Sequence, residues 1–308
     1  MQLKSLIFFT LLAFAWNKAE SMPGGPSDNF PLLQSGSIGD LNLNVGFRGG
    51  VNFSQPFVMG RNEVLQGDDP ADVFEKEYSP FFANTGYHYA FVFLTYLNES
   101  LSLSVEPAMT TYNYKYKLSA SWTNGTDPAD YIEYETKHRN SVSYIELPVV
   151  LRYEFGGGKI QPFVSLGLTY GYRINASKKM EYTVTRHTGA LSIPYENSTL
   201  SSNNSKSYIH SRFGIAPGIG FFYPLGTVKL FLSADFSFPL NNIVDESQRY
   251  ANSAVTTGMY DVQDDIRLGA LNLTLGFIFS TGSTQVASAG KKRGGKALEC
   301  PDFKRIRK

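Results

Sequence analysis

Four histidines, His88, His138, His187 and His210, are the side chains best suited to moving a proton near neutral pH in this sequence. Ser211 follows His210, so a hydroxyl nucleophile stands beside a candidate base. Four imidazoles could also ligate a metal. Either chemistry needs more than residue type: a nucleophile, base and orienting group in fixed order, or ligands at set spacings. No such trio can be read from the residue order. The chain has no Gly-x-x-x-x-Gly-Lys-Ser/Thr loop, no His-Glu-x-x-His, no Cys-x-x-Cys and no Gly-x-Ser-x-Gly. The expectation is a protein that is not an enzyme, with no catalytic residues, no cofactor and no metal. Cys300 is the only cysteine, which excludes a disulfide within the chain.

The remaining charged residues acquire meaning from the elements that carry them. In "LNLNVGFRGGVNFS", residues 41–54, Leu41, Leu43, Val45, Phe47, Val51 and Phe53 fall on one face of a strand, and Arg48 falls on the other with asparagines and glycines. Eight runs alternate in this way, roughly 40–53, 86–97, 101–118, 140–155, 159–174, 207–223, 227–238 and 266–280. Three of their connections are short turn signals, Asn98-Glu-Ser100, Gly156-Gly-Gly158 and Pro224-Leu-Gly226. The other four, about 54–85, 119–139, 175–206 and 239–265, are long and polar. Short and long connections alternate strictly. That arrangement predicts an all-β fold, an eight-stranded antiparallel transmembrane β-barrel with short periplasmic turns and long extracellular loops. A secreted soluble sandwich would also alternate.

Aromatic positions separate the two. A membrane barrel carries rings near both interfaces. Tyr153, Phe155, Phe221, Tyr223, Phe277 and Phe279 collect on the short-turn side, and Tyr87, Tyr89, Tyr112, Tyr114, Tyr170, Tyr172, Phe236 and Phe238 on the long-loop side. Tyr112 and Tyr114 share the parity of Glu106, so placing them outward requires a bulge near Pro107. Between the girdles lie aliphatic sets: Ile145, Leu147, Val149 and Leu151, then Val164, Leu166 and Leu168, then Leu230 and Leu232. With lipid outside, Arg48, Glu106, Glu146, Arg152, Arg212, Lys229 and Asp235 turn to the inner face as a lumen charge network. Eight strands leave little room beyond side chains, so these charges are expected to pair and fill the lumen rather than line an ion path. The four histidines fall at or beyond the outer rim.

Residues 1–21 have a basic start, a short apolar run and small residues at Ala19 and Ser21, as in a secretory signal peptide. The expected order is then a periplasmic linker (22–39), the barrel (40–280) and a basic periplasmic tail (281–308), with both termini periplasmic. The net charge is +1, yet residues 291–308 carry eight basic and two acidic residues, +6. The linker Thr281 to Gly295 is rich in Gly, Ser and Lys, and Leu298, Phe303, Arg305, Ile306 and Arg307 after it form a candidate partner-binding cluster. Acidic residues crowd three loops, at Asp68-Asp69, Asp127 and Asp130, and Asp261, Asp264 and Asp265. Such residues serve solvation, or bind divalent ions or a basic partner.

"GFRGGVNFS" (46–54), "YIELPVVLRYEF" (144–155), "PFVSLGLTYGY" (162–172) and "GIAPGIGFFYPLG" (214–226) resemble the Gly-rich first strand, the Glu-x-Pro strand and the glycine-punctuated later strands of the PorT-like outer-membrane β-barrel family of Bacteroidetes. The resemblance spans about 40–280 and implies residence in the outer membrane of a Gram-negative bacterium. For some members it implies a role in type 9 protein secretion. The expected function is a binding or assembly component of the cell envelope. Alternatives are a surface-exposed adhesin or ligand-binding barrel, and a lipid-modifying enzyme using a rim histidine. The expected partners are outer-membrane lipids and a periplasmic or outer-membrane protein docked on the tail; no nucleic acid is expected.

Overall fold

The computed structural model describes residues 43–62, 74–124, 127–156 and 158–279. The expected signal peptide, linker, Asp68-Asp69 and tail, with Leu298, Phe303, Arg305, Ile306 and Arg307, lie outside the described residues. Eleven strands form one antiparallel sheet: β1 (Leu43–Gly60), β2 (Phe74–Tyr78), β3 (Thr85–Tyr96), β4 (Leu101–Val105), β5 (Ala108–Asn124), β6 (Asp127–Glu154), β7 (Gln161–Thr188), β8 (Leu191–Asn203), β9 (Ser211–Leu225), β10 (Val228–Pro239) and β11 (Asp265–Phe279).

The sheet closes on itself. β1 pairs with β3, β3 with β4 and β5, these with β6, and β6 with β7; β9, β10 and β11 lead back to β1. β4 and β5 share one place in the ring, which therefore has eight staves, while β2 and β8 lie outside it beside β5 and β7. The seam joins the first and last staves in one continuous register from Val45↔Phe279 to Val58↔Ile266.

Alternation sets the faces. Ile145, Leu147, Val149 and Leu151 of β6, Val164, Leu166 and Leu168 of β7, and Leu230 and Leu232 of β10 are exposed on the outside. Tyr87, Tyr89, Tyr170, Tyr172 and Phe238 flank them at one end, and Tyr153, Phe221, Tyr223, Phe277 and Phe279 at the other. Three tight turns close the second end. In the first, Asn98 Oδ1 accepts from the Ser100 and Leu101 N–H groups at 2.9 and 2.8 Å. In the third, Gly226 takes φ 65, where a side chain would be strained.

Three sequence expectations change. First, much of two long connections is strand: 119–139 holds the end of β5 and the start of β6, and 175–206 holds the end of β7 and all of β8. β6 and β7 are each 28 residues long, nearly three times the roughly 9–11 residues a strand needs to cross a bilayer. Beyond the membrane the outward face of these strands meets water and turns polar, while the axis-side face keeps apolar members such as Leu118 and Ala120 of β5. The surplus forms an arm, β2-β5-β6-β7-β8, that rises beyond the ring.

Second, Pro107 marks no bulge. The β3 register is the same on both sides of it, Phe93↔Val105 and Ala90↔Ala108, and so is the β6 register, Val105↔Val149 and Ala108↔Glu146. Parity holds, and Tyr112 and Tyr114 are buried inside with Glu106 rather than set in the outer girdle. Their hydroxyls have polar partners there, which removes the reason for facing lipid. A real bulge lies in β7 opposite Ser143/Tyr144, where Ile174 and Asn175 are both exposed and all later residues exchange faces.

Third, the 239–265 connection does not stand free. Val244 bridges to Tyr208, a short helical turn at Ser253–Thr256 follows, and Asp261, Val262, Gln263 and Asp264 are buried in the mouth of the ring.

Candidate functional site

The lumen is filled in layers. Nearest the tight turns, Val92, Leu94, Phe163, Phe222, Phe231 and Ile278 form an apolar floor. Lys229 Nζ lies on it, 4.4 Å from the centre of the Phe222 ring, and binds Glu154 at 2.7 Å and the Tyr96 hydroxyl at 2.8 Å. Above it Glu106 accepts from Arg152 and from Ser104 at 2.6 Å, and Arg48 forms an ion pair with it at 3.0 Å. Arg48 also binds Asp235 at 3.0 Å, and Ser233 and Ser165 donate to the same carboxylate at 2.9 and 3.3 Å. One level higher, Glu146 accepts from Arg212 at 2.7 Å and from Thr110 and Tyr112 at 2.8 Å each. Arg212 donates further to Ser237 and to the Leu268 carbonyl at 3.0 Å each.

All seven charges named from the sequence, Arg48, Glu106, Glu146, Arg152, Arg212, Lys229 and Asp235, are buried inside the ring. Each makes an ion pair with a lumen partner. Glu154 belongs to the same set and shares the strand parity of Glu146 and Arg152, so alternation could have found it. Buried charges on this scale persist only when paired and hydrogen-bonded.

A second polar cluster closes the other end. Lys76 of β2 binds Asp261 at 3.2 Å and Asp264 at 3.1 Å, and its Nζ donates to the Val262 carbonyl at 2.6 Å. Lys178 of β7 pairs with Asp261 and donates to the Tyr116 hydroxyl at 2.7 Å. Tyr78 donates to Asp264 at 2.8 Å, and Tyr114 to Gln263 at 2.9 Å. Burial alone would raise Asp261, but Lys178 and Lys76 outweigh it and hold the carboxyl well below the usual carboxylate range. Asp261 and Asp264, expected as solvated or ion-binding loop residues, instead fasten the 261–264 stretch as a cap. Lys178 escapes sequence parity because the β7 bulge exchanges its face.

The histidines divide. His88 and His138 are buried inside, not at the outer rim: His88 Nδ1 meets Thr110 at 2.9 Å, and His138 stacks on Tyr116 at 4.7 Å. Burial, with Lys178 adding and Asp261 opposing, pushes His138 down to about 3. The reason for both placements is strand parity carried past the expected rim. His210 is exposed, its ring 6.0 Å from Tyr172. His187 forms a chain that residue order did not reveal, with Ser192 at 3.0 Å on Nδ1 and Glu133 at 3.0 Å on Nε2. Both ends of this chain are open to water on a sheet face, so nothing there excludes solvent from a reacting bond. Among the described residues no group of His, Cys, Asp and Glu could hold a metal ion.

Three comparisons bear on this architecture. A family model described as "Outer membrane protein beta-barrel domain" matches residues 27–245. No curated protein matches the sequence. Among solved structures, the outer membrane protein OprG of Pseudomonas aeruginosa is similar at 12% identity, covering 78% of this chain and 97% of that one, with a TM-score of 0.34. Ail, the attachment invasion locus protein of Yersinia pestis, is similar at 10% identity over 77% of this chain and 98% of its own, with a TM-score of 0.28. The translocator domain of the autotransporter NalP from Neisseria meningitidis is similar at 10% identity over 79% and 90%, with a TM-score of 0.20.

Proposed function

This chain belongs to the outer membrane protein β-barrel domain family, and from that premise we propose that it is a non-enzymatic, surface-exposed binding barrel whose partner meets the arm. The observation that carries this reading is the axis-side face of the arm. Near the ring that face is covered: Met180 and Leu200 pack under Val255 and Met259 of the 239–265 connection. Further out the cover stops. Trp122, Ile132, Arg186 and Ile193 stand abreast in one cross-strand row, and Trp122, Ile132 and Ile193 remain 36%, 43% and 44% exposed. Exposed apolar side chains on either side of Arg186, which is itself paired with Asp130 at 3.2 Å, make this part of the raised sheet a surface that gains by being covered. The tight turns offer no comparable face among the described residues.

In this reading both termini and the tight turns are periplasmic and the arm is extracellular. The PorT-like resemblance supports a different working end. There, assembly or type 9 secretion would use the tight turns and the tail, with Leu298, Phe303, Arg305, Ile306 and Arg307 as contacts. Photocrosslinking on intact cells distinguishes the ends. A photoreactive residue at Ile193 should give adducts that a residue at Leu225, beside the third tight turn, does not. Adducts confined to Leu225 and the tail would overturn the arm reading and favour assembly. Ser192→Ala, which breaks the hydroxyl–imidazole chain, should leave lipid A composition unchanged by mass spectrometry.

A further inference from the structure

The opposite face of the same arm carries charge. In register, Lys115 of β5, Arg139 of β6 and Lys179 of β7 stand abreast, with Lys117 and Lys137 in the next row outward. Like charges directly opposite one another on neighbouring strands repel. Among the described residues, Glu181 serves Arg139 at 3.7 Å and Lys179 at 3.3 Å, Glu135 serves Lys117 at 3.8 Å and Lys137 at 3.4 Å, and Glu77 of β2 stands opposite Lys117 in register. Lys115 Nζ donates to the Ala83 carbonyl at 3.1 Å. Five cations thus share three carboxylates on a face open to solvent, Glu77 reaching only the outer row, and the surplus is positive around Lys115, Arg139 and Lys179.

Height and chemistry say what would balance it. Along β6 the outward positions run from Ile145, abreast of Tyr172, through Ser143 and Ser141 to Arg139. At about 3.3 Å per residue the cation row stands about 20 Å along the strand above the last apolar position, and about 15 Å above it in a strand tilted by about 40°. Between the two levels Asn113, Ser141, Asn175, Ser177 and Ser201 line a recess of about 560 Å³ with the three cations at its upper edge. Below lies the exposed apolar strip of Ile145, Leu147 and Val149. Apolar strip below and a belt of hydroxyls, amides and cations above match a glycolipid, whose acyl chains lie beneath a sugar headgroup that carries both hydroxyls and phosphates.

We propose that this wall binds a phosphorylated glycolipid of the outer leaflet. Its phosphate takes charge-assisted hydrogen bonds from Lys115, Arg139 and Lys179, and its sugar hydroxyls pair with the serine and asparagine belt. The proposal rests on the arm standing outside the outer membrane and is independent of what the apolar row on the other face binds.

The test uses the full chain in zwitterionic micelles, titrated with bisphosphorylated lipid A and with the same lipid stripped of both phosphates, and read by native mass spectrometry. The phosphorylated lipid should bind about tenfold tighter or more. The triple variant Lys115→Gln/Arg139→Gln/Lys179→Gln should lose that preference, whereas Lys115→Arg/Arg139→Lys/Lys179→Arg keeps it and Lys159→Gln/Lys206→Gln leaves it unchanged. Retained heat-modifiable mobility shows that each variant is folded. Equal binding of the two lipids by the unaltered chain overturns the proposal without any variant. So does an equal loss in the Lys159/Lys206 pair, which would mark bulk charge. Displacement of the lipid by inorganic phosphate at equal concentration would overturn it in favour of a free-anion site. None of these results bears on crosslinking at Ile193.

Discussion

Glu146 is surrounded on three sides, by Arg212 at 2.7 Å and by the Thr110 and Tyr112 hydroxyls at 2.8 Å, in a lumen that has no bulk water to replace a missing donor. Removing its cation should therefore hurt far more than removing the pair. Arg212→Met is expected to lower stability by about 3–5 kcal/mol, and Arg212→Met/Glu146→Leu to recover most of that loss. Urea unfolding in lipid vesicles, followed by the mobility of unheated samples, measures both; equal losses in the single and double variants would show that the pair itself is the stabilising unit. Strand parity is the signal that groups the lumen charges, and Glu154 carries it as clearly as Arg152 does. Where parity misleads, the cause is local. Lys178 lies past a one-residue bulge that leaves no mark in composition. Tyr112 and Tyr114 lie inside because their hydroxyls have partners elsewhere in the chain, Glu146 of β6 for one and Tyr208 and Gln263, outside the strands, for the other. No count along one strand can show those partners.

At the scale of elements, the cap formed by 261–264 depends on protonation. His138 stays neutral down to about 3 when folded, against 6.5 for the free side chain. Between those values the unfolded chain takes up a proton that the folded chain refuses, so stability falls as pH falls through this window. Asp261, whose folded value is depressed, contributes stability above the ordinary carboxylate range that is lost as pH falls below it. The two effects have the same sign. His138→Gln should make the decline in urea midpoint between pH 6.5 and about 4 shallower than in the unaltered chain; an unchanged slope would remove His138 from the account. The cap itself was not legible, because "YDVQDD" has the composition of any solvated loop and its partners Lys76 and Lys178 are remote in sequence. The arm was illegible for a related reason. Its outward face is polar and charged, and the apolar residues of its axis-side face, such as Leu118, Ala120 and Met180, find their cover in the remote 239–265 connection and in neighbouring strands.

For the whole molecule, eight staves were readable because short and long connections alternate and because the outward rings gather at two levels. The filling of the ring leads to a direct expectation. An apolar floor, layers of paired charges and a fastened cap leave no continuous water column, so planar bilayers containing the protein should show little conductance. Large, stable single-channel steps would contradict the layered lumen. The seam between β1 and β11 has a different kind of consequence. Its register couples Val45 to Phe279, so the first stave to be synthesised keeps one bare edge until the last has been made. No partial chain can close, and every precursor presents unsatisfied backbone donors and acceptors to its neighbours. Folding is then an event in time rather than a progression along the chain. Loop-closure entropy across nearly the whole described length is spent at its final step, and until that step the protein is a candidate for aggregation.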